Sequence, residues 1–244
     1  MTSDVLRLED HAVDDAIVVT PTGRLDIASY GQLRDHLIRV GTDVPRAIVV
    51  DLTGLDVESD TTLAIFPAVH TRLRQWPGVP LLLVTGGGPV RRWMGRTDTA
   101  RFLTVHETVG GAVAAIDEPS PRRVTHAQLP SSLSSPRLAR EFTRRICAEW
   151  DLHPLVDDAL LLVGELVANA VIHTGSCPVV RLGLCRAVFS VAVYDDVPGE
   201  VSVRDPGGEA SGIHGLLLVA QIATAWGSAP TSTGGKVVWA TLQL

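Results

Sequence analysis

Glu165, Asn169 and His173 stand four residues apart in the segment Ala159-Leu-Leu-Leu-Val-Gly-Glu-Leu-Val-Ala-Asn-Ala-Val-Ile-His173, which is otherwise almost wholly apolar. On an α-helix, steps of four keep side chains on one face. A carboxylate and a carboxamide set into an apolar helix are costly to bury unpaired, so this face is read first as the wall of a polar, ligand-holding cavity. A carboxylate can take up a proton, and an amide oxygen can hold a hard cation such as magnesium. The alternative is that Glu165 and Asn169 make ordinary structural hydrogen bonds.

Three further pieces follow in order. Val193-Tyr-Asp-Asp-Val-Pro-Gly199 ends an apolar run, and a strand stopping at Asp195 would put its carboxylate at a pocket mouth, where it can accept from an exocyclic amine such as that of adenine. Asp-rich turns are common, however. In Ser211-Gly-Ile-His-Gly-Leu-Leu-Leu-Val219, Gly212 and Gly215 precede an apolar helix. Unobstructed backbone N–H groups at such a start can hold phosphate. The last piece is Trp226-Gly with Gly234-Gly-Lys-Val-Val-Trp239, a glycine-rich turn into a final strand.

The elements that must carry these residues fall into two groups. Proline and serine are dense across residues 117–136 and cannot propagate a helix or a central strand. The boundaries expected are a domain over 1–118, a linker over 119–135 and a second domain over 136–244. Part of the linker's second half could serve the C-terminal domain as an edge strand and helix N-cap, with Ser134 or Ser135 before Pro136. Upstream, strands at Ala16–Thr20, Ala47–Leu52 and Leu81–Val84 interleave with helices at Ile27–Val40, Thr61–Gln75, Pro89–Trp93 and Val109–Ile116. That order implies a layered α/β sheet. Downstream, helices at Pro136–Trp150 and Leu155–His173 precede strands at Val179–Cys185, Phe189–Tyr194 and Val237–Leu242, with a helix at Gly215–Ala225 between. That order suggests an α+β sandwich.

The bulk composition excludes several classes. Apolar residues make up 45% of the 244 and aromatics only 5%, so the cores are built from Leu, Val, Ala and Ile. No apolar run reaches a membrane span, and Met1-Thr-Ser-Asp-Val5 lacks the basic start and apolar stretch of a signal peptide. A cytoplasmic protein without membrane attachment is expected. The net charge of −6 argues against a nucleic-acid backbone binder. Residues 1–118 hold 11 basic and 16 acidic residues, against 10 and 11 in 119–244, and Lys236 is the only lysine. Cys147, Cys177 and Cys185 have neither disulfide-framework nor zinc-site spacing.

The four pieces of the C-terminal half, in this order and spacing, resemble the GHKL ATPase superfamily and, more closely, bacterial anti-sigma factor serine kinases of the actinobacterial type. The family's first box, E-L-V-x-N-A-x-x-H, is met by Glu165-Leu-Val-Ala-Asn-Ala-Val-Ile-His173. The resemblance covers residues 137–244 and implies a Bergerat-type ATP-binding sandwich with a magnesium–ATP site. It implies Asn169 as metal ligand and Glu165 as the base for a target serine hydroxyl. Asp195 would read adenine, Gly199 would line the base pocket, and Gly212, Gly215 and Leu216 would form the phosphate lid. His173 is expected to pack or to make a structural hydrogen bond. Three departures stand out: Val197 replaces a glycine of D-x-G-x-G, Ile213-His-Gly215 replaces the lid's G-x-G, and Val237 replaces a threonine. A β-branched residue cannot copy glycine where positive φ or close approach is needed.

Residues 14–117 look like a STAS domain, the fold of anti-sigma factor antagonists. The matching pieces are Val18-Val-Thr-Pro-Thr-Gly-Arg-Leu-Asp26, Ile48-Val-Val-Asp-Leu-Thr-Gly-Leu55 and Gly88-Pro-Val-Arg-Arg-Trp93. In active antagonists a D-S-x-G turn carries the serine that the partner kinase phosphorylates. Here the aligned stretch is Glu58-Ser-Asp-Thr-Thr-Leu63, with Asp60 at the phosphoacceptor-equivalent position. Asp60 reads either as a helix N-cap or as a mimic of a permanently modified serine. Together the resemblances imply an ATP-binding serine/threonine kinase module fused to a STAS module, acting on a sigma factor or STAS antagonist in partner switching. A homodimer is one expected assembly. The competing expectation is a non-catalytic regulator that keeps both halves as docking surfaces.

Overall fold

A computed structural model describes residues 5–87, 90, 103–116, 122–199 and 213–244; for Asp60, Ile213 and His214 only the backbone is described. The chain divides into two compact units, Met1–Pro119 and Ser120–Leu244. None of the described helices is long and apolar enough to cross a membrane.

The first unit is a mixed sheet covered by helices on both faces. Its elements run β1 (Arg7–Val13), β2 (Ala16–Leu25), α1 (Ile27–Thr42), β3 (Ile48–Asp51), β4 (Leu55–Val57), a 3-10 turn (Asp60–Ala64), α2 (Ile65–Gln75), β5 (Leu81–Val84), β6 (Thr104–His106) and α3 (Val109–Ala114). The strand order is β1-β2-β3-β5-β6, with β4 paired to β2. All pairings are parallel except β1 with β2. A parallel strand buried on both sides reads as a continuous apolar run rather than an alternating one, which is what Ile48-Val-Val and Leu81-Leu-Leu-Val84 show. Successive residues of one strand serve opposite cores. Val19, Ile48, Val50, Leu81 and Leu83 pack with Leu33 and Leu37 of α1 and Phe66 and Leu73 of α2. Val18, Val49, Leu82 and Val84 pack with Ala112 of α3 and Ile116. β1 carries no apolar run because it is an exposed edge of charged residues, a device that discourages edge-to-edge pairing.

The second unit is a five-stranded antiparallel sheet with helices packed on it. β7 (Arg122–Gln128), α4 (Ser135–Glu149), a 3-10 turn (His153–Leu155), α5 (Val156–Thr174), β8 (Val179–Cys185), β9 (Val188–Asp195), α6 (Ile213–Ile222), β10 (Ala225–Pro230) and β11 (Lys236–Gln243) follow in sequence, and the sheet order is β10-β11-β9-β8-β7. Val180, Leu182, Phe189, Val191, Val193, Val238, Ala240 and Leu242 present one face to the helices. The inward residues of α5 are Ala159, Leu162, Val163, Leu166, Val167 and Ala170, a helical repeat that fixes the helix's rotation. α5 ends at Gly175 in the left-handed conformation, φ 63°.

Two boundaries differ from the sequence reading. The stretch read as linker, whose second half could hold an edge strand, contains β7 between Pro121 and Pro130, and the residues of β7 pair throughout with β8. The helix expected to reach Ala225 stops at Ile222, because Thr224 donates to the Thr241 carbonyl and Ala225 already pairs with Thr241 in the sheet. Of the helix expected at Pro89–Trp93, only Val90 lies within the described residues.

Candidate functional site

α5 carries Glu165 and Asn169 at the border between its buried and exposed faces, and both are half-buried. Neither points into a closed apolar interior. Across from them stands Gly215, in the first turn of α6. A Cβ built there would overlap the Glu165 carboxylate Oε2 and lie 3.8 Å from Asn169 Nδ2. With glycine there, the helix start lies directly against the Glu165 carboxylate, and a larger residue would make that side chain move. The Asn169 Nδ2 is buried and has no hydrogen-bond partner among the described residues. An unsatisfied buried donor of this kind costs ~1–3 kcal/mol, so the amide sits in a place that a ligand would make favourable. Glu165, Asn169 and Gly215 thus come together.

His173, expected to pack or to make a structural hydrogen bond, is exposed in the last turn of α5 and does not pack. Leu216 is buried in the core with Val219, so its side chain anchors α6 while only its backbone is available to a lid. Gly212 lies outside the described residues.

Asp195 forms a second cluster. It ends β9 directly opposite Lys236, the first residue of β11. The Lys236 ammonium donates to Asp195 Oδ1 at 2.9 Å and to the Val197 carbonyl at 3.0 Å. The Val197 N–H also donates to Asp195 Oδ1, at 3.0 Å. The side chains of the ion pair are 12% and 2% exposed, for Lys236 and Asp195 respectively. Gly235 makes this corner reachable: a Cβ there would overlap the Asp195 carbonyl oxygen and fall 2.9 Å from Asp196 Cα. Val197 is exposed and is not among the residues with positive φ, so its backbone does not demand the glycine that the family carries. Gly199 is exposed with φ 136°. Val237 is fully buried in β11.

In the first unit, Ser59 and not Asp60 is the N-cap. The Ser59 side chain accepts from the Thr61 N–H, and Thr62 Oγ1 donates to the Ser59 carbonyl at 2.7 Å. Asp60 is the first residue of the 3-10 turn that follows. The cap is displaced by one residue because Ser59 has extended backbone geometry, φ −149° and ψ 149°, which suits an N-cap.

No group of three His, Cys, Asp or Glu able to hold a metal occurs among the described residues. Magnesium bound through one protein ligand and substrate phosphates needs no such cage. The orphaned Asn169 Nδ2 donor fits an acceptor such as a phosphate oxygen, and a magnesium ion of a bound nucleotide would be held by the carboxamide oxygen of the same side chain. Asp195 Oδ1 already receives an ammonium and an amide N–H, so that oxygen is not a free base-reading acceptor. Sequence reasoning gave Lys236 no role. Its register opposite Asp195 was the available signal.

A family model for the STAS domain matches residues 7–112, and those residues are a STAS domain. An anti-sigma factor antagonist from Mycobacterium paratuberculosis is 23% identical, with TM-score 0.43, covering 47% of this chain and 97% of that one. RsbS from Moorella thermoacetica, in a substituted form, is 20% identical with TM-score 0.38, covering 45% and 94%. The phosphorylated Bacillus cell fate determinant SpoIIAA is 14% identical with TM-score 0.35, covering 46% and 99%. No curated protein matches the chain.

Proposed function

We propose that this chain is a partner-switching regulator in which a STAS domain is joined to an anti-sigma-type serine/threonine kinase module of the GHKL class. The observation that carries the reading is the meeting of Glu165, Asn169 and Gly215, with the Asn169 amide buried and unpartnered among the described residues. Magnesium–ATP would supply the transferable phosphoryl group and the cationic charge that phosphoryl transfer needs. The protein's part in such chemistry is positioning and electrostatics. The Asn169 carboxamide oxygen would hold the cation. Glu165, one turn away, would take the proton from a target serine hydroxyl. The α6 N-terminus, free of side chains at Gly215, would face the anionic end of the nucleotide. The STAS domain would dock a sigma-regulating partner, as the name of the Mycobacterium paratuberculosis antagonist suggests for that protein. Asp60 would put a fixed carboxylate at the position where antagonists carry the modified serine.

A second reading, a non-catalytic docking protein, is favoured by the Lys236–Asp195 pair and by Asp60. Incubation with labelled ATP and candidate STAS antagonists separates the two. Serine labelling that is lost in Glu165→Ala supports the kinase. No labelling, with no nucleotide bound at millimolar concentration, leaves the docking protein.

A further inference from the structure

We draw no further inference here: the strongest candidate, the surface patch on α4 and α5 beside Glu165, where the Arg140 guanidinium lies against Gly164 and the side chains of Leu161 and Ile172 are exposed, is an apolar and basic face, and nothing in the structure shows what covers it.

Discussion

Two polar clusters in the C-terminal unit differ in one respect that matters. Around Asp195 the charge is matched: an ammonium, an amide N–H and a carbonyl close on one another with ordinary hydrogen-bond lengths. Around Asn169 the donor is buried and unmatched among the described residues, beside a half-buried carboxylate that packs against the backbone of Gly215. Folded chains seldom leave buried polar groups unsatisfied, and the exceptions concentrate where a ligand completes the set. The matched cluster reads as structure. The unmatched one is where the proposed nucleotide would bind.

Substitutions can break or sharpen this contrast. The largest effect should come from Glu165→Ala, which is expected to lower phosphotransfer by ~10²–10⁴-fold, the range for loss of a positioned general base, while nucleotide affinity changes little; labelled-ATP assays and titration calorimetry read the two quantities separately. On the matched side, Asp195→Ala leaves a sheltered ammonium unpaired and should cost ~3–5 kcal/mol in chemical denaturation. A loss below ~1 kcal/mol would show that the pair is as solvent-screened as a surface ion pair. Gly235→Ala forces a methyl into the Asp195 backbone and should cost ~1–3 kcal/mol, more than Gly215→Ala, because the Glu165 carboxylate can swing aside and a carbonyl cannot. Asn169→Ala should do the reverse of Asp195→Ala: stability is unchanged or slightly higher, since an orphaned amide is removed, while magnesium-dependent nucleotide affinity falls about tenfold. Equal stability losses for Asn169→Ala and Asp195→Ala would erase the distinction between the clusters.

The smallest effect tests the STAS domain. Burial, and secondarily Arg74, holds the His70 imidazole below its usual pKa. A group depressed in the folded state contributes its stability above the unfolded value of 6.5 and loses it as pH falls through the folded value. His70→Gln should therefore flatten the decline in Tm as pH falls below 6.5, with little change at pH 8.

The sequence was legible where one physical signal dominated. The apolar runs Ile48–Val50 and Leu81–Val84, interleaved with helical segments, announced a layered α/β sheet, and the four-residue spacing of Glu165 and Asn169 put them on one helical face. Edge strands were harder. β1 is charged and exposed, and β7 lies among Arg, Thr and His residues beside a proline-rich stretch, so neither carries a period that core burial would impose. The split of the expected Thr61–Gln75 helix into a 3-10 turn and α2, and the cap at Ser59 rather than Asp60, depend on backbone angles that neighbouring residues decide together. Lys236 escaped notice because its partner is 41 residues away and only the β9–β11 register brings them together.

Titration of magnesium–ATP into the wild-type, Glu165→Ala and Asn169→Ala chains bears most directly on the central claim. Magnesium-dependent heat that persists in Glu165→Ala and is weakened about tenfold in Asn169→Ala is the predicted result. No detectable binding to the wild-type chain at millimolar nucleotide would contradict it.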